Sequence, residues 1–300
     1  MLNRPTMAMN KEKLLLGGLR RLLNGTARMT RRGAGRIGYY LLTSPRRLEE
    51  EPLGKAFVAE AEHEKVHLNG FDIQTYHWPG EGPKVLLLHG WESSTARWHA
   101  LFPLLREAGY DIYALDAPAH GKSGGKKFNV FMYCQTLHAY FEHLGFAQDV
   151  WIGHSGGGMA AIYYNASEQF TYAPQRIVSL AVPGELEDFI NTFCNYVGAN
   201  ERVKFGIEHR FHRKLDFYFS DINFKEFVKQ VRVPGLIIHD TEDEVAPVEG
   251  AHCMHANWKG SKLVVTRKLG HSLIGKFVPA VIVEYLRSEL QPLEQKVTLK

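Results

Sequence analysis

Six short segments constrain how this chain can fold more than any other feature. "KVLLLHG", "DIYALDA", "DVWIGHS", "RIVSLAVPG", "VPGLIIHD" and "SKLVVTRKL" are apolar runs of strand length, most of them separated by helical stretches. A run without polar alternation suits a strand covered on both faces. Strand and helix alternating at this spacing build βαβ units, so the sheet is expected to be mostly parallel. "EKVHL" and "FDIQTYHW" flank Asn69-Gly70, a hairpin turn signal, and predict an antiparallel start. With 300 residues, 45% of them hydrophobic, the chain can bury the core such a sheet needs.

The alternation is absent in two places, and these set the expected organisation. Residues 1–55 read as a basic helical extension, 56–184 and 231–295 as the α/β core, and 185–230 as a helical cap inserted over one edge of the sheet. In "NKEKLLLGGLRRLLN", Leu15, Leu19, Leu22 and Leu23 share a helical face, with Asn24-Gly25 as the expected stop. A second helix is expected to end near Leu42, before Ser44-Pro45, and strands to begin from Phe57. A further helix is predicted over Val130 to Leu144, and a last one from about Gly275 to Leu290.

Charge is uneven. Eleven Lys and Arg residues between Met1 and Arg47 face a single acid, Glu12, so the remaining body is net acidic although the whole chain carries +4. A basic arm attracts anionic lipid, nucleic acid or an acidic patch of the protein itself. The small overall charge does not argue for nucleic acid. Packing of the leucine face on the domain is favoured over peripheral membrane contact, which usually needs a second anchor. Cys134, Cys194 and Cys253 are too sparse for a disulfide framework and fit a reducing, cytoplasmic setting. No secretory signal or membrane-spanning run is expected; the arginine-rich start has the composition of a transit peptide and no other mark of one.

In an open parallel sheet, ligands bind beyond the carboxyl ends of the strands. The polar residues expected there are His89, Asp116, Ser155, Asp240 to Glu244, and His271. Gly153-His154-Ser155-Gly156-Gly157 fits G-x-S-x-G between a strand and a small-residue helix, the context of a nucleophile elbow. A hydroxyl needs a base, and "LGHSL" places His271 just after the last strand. The base needs an orienting carboxylate; "HDTEDEVAP" offers Asp243 as first choice, with Asp240 and Glu242 as alternatives and Glu185 or Glu187 as remoter ones. An oxyanion needs amide donors, for which Gly156 and Trp91 of "LLLHGWESS" are the candidates.

These motifs together resemble the serine-nucleophile branch of the α/β-hydrolase superfamily. "HGW" is similar to its oxyanion loop, and "DAPAHGKSGG" to its D-x-P-G-H-G-x-S stretch, with Ala119 where glycine is usual. "DTEDEVAP" is similar to its acid loop, with Asp240 in place of glycine and Ala246 in place of valine, and "LGHS" to its histidine loop. "TSPRR" before the first strand is similar to uncharacterised bacterial members with a basic lead. The resemblance spans roughly residues 57–290. It implies an α/β-hydrolase fold with about eight strands flanked by helices and a helical cap.

The expected activity is a serine esterase reaction on a small-molecule ester, thioester or related acyl compound, through an acyl-enzyme on Ser155. No cofactor, metal or nucleic acid is expected. His89, Phe189, Phe193, Phe205 and Phe211 are candidates for the substrate pocket. A catalytically silent scaffold that binds a small ligand or a protein is the alternative. Metal chemistry from His252, Cys253 and His255 lacks further ligands.

Overall fold

Among the described residues eight strands form one sheet: β1 (Glu62–Leu68), β2 (Phe71–Trp78), β3 (Lys84–Leu88), β4 (Asp111–Leu115), β5 (Val150–His154), β6 (Arg176–Leu180), β7 (Gly235–Asp240) and β8 (Ser261–Thr266). Their spatial order is β1-β2-β4-β3-β5-β6-β7-β8. The computed structural model describes the backbone of residues 4–289 and the side chains of 14–287. The hairpin closes at Leu68↔Phe71, with Asn69 at φ 48° and Gly70 at φ 80°, the left-handed pair that a tight primed turn demands. β2 runs antiparallel to β1 and β4; from β4 through β8 every pairing is parallel.

The helices are α1 (Arg4–Met29), α2 (Arg31–Thr43), α3 (Pro52–Ala59), α4 (Phe102–Glu107), α5 (Val130–Leu144), α6 (Gly156–Ala166), α7 (Leu186–Val197), α8 (Glu201–Leu215), α9 (Phe224–Phe227), α10 (Val248–Asn257) and α11 (Phe277–Glu289). Successive strand residues point to opposite faces. Leu86, Leu88 and Trp151 therefore enter the layer shared with α5, α6 and α10, while Val85, Leu87 and Ile152 enter the layer shared with α3, α4 and α11. The segment between β6 and β7 is helical, as α7, α8 and α9, and it packs with α1 and α2 on the α5–α6 side.

Three sequence expectations are corrected. The helix does not stop at Asn24-Gly25; α1 continues to Met29. The Asn24 side chain is taken up by the segment between β6 and β7, donating to the Gly198 carbonyl at 2.8 Å and accepting from the Asn200 amide at 2.9 Å, so it is not free to cap its own helix. The strands begin at Glu62 rather than near Phe57, because Pro52 opens α3 and Phe57 stacks on Trp78 with ring centroids 4.5 Å apart. α3 thereby crosses the 55/56 boundary expected between extension and core. The leucine face of α1 is not covered as a unit: Leu23 is fully buried and Leu19 half-buried, while Leu15 and Leu22 stand in solvent. The last helix spans Phe277–Glu289; Leu290 and the rest of the expected core to 295 lie outside the described residues, as do the side chains of Arg4, Lys11, Glu12 and Lys13.

α2 lies on α8 at glycine distance. A Cβ on Gly35 would stand 2.0 Å from the Gly206 carbonyl oxygen, and one on Gly206 would stand 2.4 Å from that of Arg31. Two helix backbones this close exclude any side chain between them. Among the described residues no helix is long and apolar enough to cross a membrane.

Candidate active site

β5 ends at His154, and the chain turns sharply at Ser155 to enter α6. Ser155 sits at φ 49°, ψ −117°, a conformation that L residues avoid and that tertiary contacts must hold in place. Its amide donates to the Leu180 carbonyl at 2.8 Å, and its carbonyl accepts from the Met159 amide at 2.8 Å. The flanking glycines are steric requirements. A Cβ on Gly153 would meet Gly158 N at 2.5 Å, and one on Gly157 would meet Leu88 O at 2.2 Å.

Loops beyond β7 and β8 bring two side chains to this serine. Ser155 Oγ is 3.0 Å from His271 Nε2, and His271 Nδ1 is 2.9 Å from Asp243 Oδ2. The Asp243 side chain is fully buried; its Oδ1 accepts from the amides of Val245 and Ala246, both at 2.8 Å. A carboxylate on the far side requires a proton on Nδ1, so Nε2 of His271 has its lone pair free toward the serine hydroxyl. Burial pushes the Asp243 pKa up, but hydrogen bonds from His239 and His271 and the His271 charge outweigh it and hold the carboxyl far below its ordinary range. His239 enters this chain unannounced by any spacing rule. It is buried, and its Nε2–H lies 2.8 Å from the Ala246 carbonyl and 3.3 Å from Asp243 Oδ2.

The competing acids stand elsewhere. Asp240 ends β7 and accepts from Thr266 Oγ1 at 2.7 Å, Leu269 N at 3.0 Å and Glu242 N at 2.9 Å, which ties the acid loop to the histidine loop. Glu242 points outward to Arg267. Glu185 binds Lys225 and Glu187 binds Lys204. Asp116 is a buried hub taking the Thr95 amide, the Tyr76 hydroxyl and the Lys122 amide.

The loop after β3 supplies Trp91. Its backbone nitrogen lies 3.5 Å from where a Gly156 Cβ would stand, and among the described residues neither the Trp91 nor the Gly156 amide donates to a protein acceptor. Both residues and Ser155 border one cavity. Phe128, Val130, Phe131, Met159, Leu186, Phe189, Ile190, Phe211 and Phe217 form most of its wall, and the end of α2 contributes Leu42 and Thr43. Phe189 and Phe211 are on this wall. Phe193 is half-buried and off it, and Phe205 is half-exposed beneath Arg31.

His89 is also off the wall, contrary to expectation. It is fully buried, with Nε2 accepting from the Ala117 amide at 2.9 Å, so its proton is on Nδ1, directed to the Gly90 carbonyl at 2.8 Å. It fastens the turn that leads to Trp91. His120 braces the same loop by accepting from the Glu92 amide at 3.1 Å. Ala119, beside it, adopts φ 67°, the left-handed geometry that explains why glycine suits this position better. His154 Nε2 donates to the His271 carbonyl at 2.7 Å and so ties the elbow to the histidine loop. On α10, His255 Nδ1 is bonded to Ser261 Oγ, and no group of three metal-ligand side chains occurs among the described residues.

Comparison with known proteins agrees with this architecture. A family model described as alpha/beta hydrolase fold matches residues 83–192. The bifunctional esterase/perhydrolase of Acinetobacter calcoaceticus is 24% identical over 60% of this chain and 82% of its own length. The uncharacterised hydrolase YugF of Bacillus subtilis is 27% identical over 73% of this chain and 94% of its own. Among solved structures, an esterase of Pyrococcus furiosus superposes with a TM-score of 0.63 at 21% identity, covering 82% of this chain and 97% of that one.

Proposed function

We propose that this chain, which has an α/β-hydrolase fold, is a serine hydrolase that cleaves esters, thioesters or related acyl compounds through an acyl-enzyme on Ser155. One observation carries the reading: the unbroken run Ser155 Oγ, His271 Nε2, His271 Nδ1, Asp243 Oδ2, with steps of 3.0 and 2.9 Å across the site.

In the first half-reaction Ser155 Oγ attacks the acyl carbon as its proton passes to His271 Nε2. The carbonyl electron pair moves onto oxygen, where the amides of Trp91 and Gly156 receive it; each such donor typically contributes ~3 kcal/mol to transition-state stabilisation. Asp243 keeps the ring oriented and balances the imidazolium charge. The oxyanion then collapses, the bond to the leaving group breaks, and His271 returns its proton to that group. In the second half-reaction a water gives its proton to His271, attacks the ester carbon of Ser155, and releases the acid with the serine hydroxyl restored. The chain supplies every proton acceptor and donor in this sequence, so no cofactor is invoked.

The cavity wall points to an apolar acyl group, since Thr43, Asn129 and Ser155 are the polar side chains among its residues. The relative named as an esterase supports cleavage of ester bonds. A silent binding scaffold would have no use for an unspent pair of amides beside a strained serine. The test is a panel of nitrophenyl esters from acetate to dodecanoate on wild type and Ser155→Ala. Turnover by wild type that rises beyond acetate, with none above background in the variant, is the expected outcome. Equal rates in both would end the proposal.

A further inference from the structure

Among the described residues, nothing covers the apolar side chains on the outward face of α1. Projected at about 100° per residue, Leu14, Leu15, Leu22 and Met29 fall within an arc of about 100°, opposite the buried Leu23 and Ala27. They are 78%, 73%, 53% and 89% exposed, and no other helix among the described residues carries as many exposed large apolar side chains. Gly18 and Gly25 complete the stripe, and a Cβ on either would meet nothing within 4 Å. Apolar residues scattered singly on a surface need no explanation, but a stripe along one helix does.

Charge identifies what covers it. Arg21 and Arg28 run along one margin of the stripe, and Arg32 and Arg36 continue the exposed basic surface onto α2. None of these four has a carboxylate within 4 Å among the described residues. A second copy of the chain docking through the same face would bring these guanidinium groups toward one another. An anionic lipid surface would instead take the leucines into its acyl boundary and the arginines at its head groups, the arrangement of an interfacial amphipathic helix. We propose that the outer face of α1 seats the protein on anionic membrane surfaces while its inner face docks on the cap. Thr30 alone separates α1 from α2, which borders the cavity through its last residues, Leu42 and Thr43. The proposal does not depend on the chemistry assigned to Ser155.

The experiment is co-sedimentation of the full chain with vesicles of phosphatidylcholine alone or with one-third phosphatidylglycerol, at low and at physiological salt. Wild type is expected to bind the mixed vesicles at least tenfold more tightly than the neutral ones. The triple variant Leu14→Glu, Leu15→Glu, Leu22→Glu should lose at least tenfold of that affinity, and Arg21→Glu with Arg28→Glu should lose the preference for phosphatidylglycerol. These positions face solvent, so the unfolding midpoint should hold in every variant, and any that shifts is replaced by the milder Leu22→Ser, Met29→Ser pair. Wild-type binding no stronger than that of the leucine variants would overturn the proposal. So would concentration-dependent dimerisation abolished by the same substitutions, because the face would then belong to a second copy.

Discussion

Ser155, Asp243 and Asp240 each hold a position for which the chemistry and the structure ask different things. Asp243 has one face committed to the amides of Val245 and Ala246 and the other to His271, so an amide in its place keeps the shape but offers His271 the wrong partner. Asp243→Asn should lower kcat by about 10³–10⁴-fold with little change in KM, as loss of the correct tautomer does in this kind of chain. Asp240→Asn should do the reverse. Its carboxylate accepts from Thr266, Leu269 and Glu242, with burial opposing and these bonds lowering its pKa, so the loss appears as roughly 1–3 kcal/mol of stability while kcat stays within tenfold. Steady-state kinetics and urea unfolding on the two variants separate the roles; a larger kcat loss in Asp240→Asn would reverse the assignment. At this scale the sequence is most legible where chemistry depends on local backbone. Gly153 and Gly157 are readable because a tight elbow tolerates nothing larger. His239 is not, because its contact with Asp243 arises only when β7 and the acid loop fold together.

Elements show why the cavity is harder to read than the hydrogen-bonded run beside it. The strand ends that carry Trp91, Ser155, Asp243 and His271 follow from apolar runs and turn residues, each local in the chain. The cavity wall draws on α2, the segment before α5, α6, α7, α8 and the loop after α8, and periodicity does not say which faces converge. Leu42 illustrates this: it lies in an extension that reads as an appendage, yet it borders the site. Its placement rests on the glycine contact between α2 and α8. Gly206→Val would drive a side chain into the Arg31 carbonyl and is expected to cost about 1–3 kcal/mol by overpacking. The loosened wall should raise KM for long-chain esters more than for acetate, and protease sites between α1 and α3 should open. Unchanged proteolysis and an unchanged chain-length profile would show that α2 is not a structural wall.

For the whole molecule, neutral buried histidines tie stability to pH. Burial lowers the pKa of His89 and of His154, and brings that of His120 down to about 3, in each case against weaker raising contacts. His89 and His120 also use a ring lone pair to accept a backbone amide, which a proton would turn into a repulsive contact. A histidine with a depressed folded pKa contributes stability fully above its unfolded value near 6.5 and loses it as pH falls below that. Each should cost up to about 1.4 kcal/mol per pH unit in that range, so urea midpoints should fall steeply between pH 7 and 5. A flat midpoint there would mean these rings take up protons alike in the folded and unfolded states. The fold that buries them is legible in the sequence as strands and helices in order. The second apolar face of α1 is legible only as a leucine-rich helix, since which of its faces is covered depends on contacts such as that of Asn24 with Gly198, far apart in the chain. The most direct measurement of whether Ser155 is a nucleophile is intact-mass analysis after treatment with a fluorophosphonate. A serine hydrolase built on this site takes one covalent adduct, mapped to Ser155, absent in Ser155→Ala and strongly slowed in His271→Ala. No adduct on folded wild type, or equal labelling of wild type and Ser155→Ala, would contradict it.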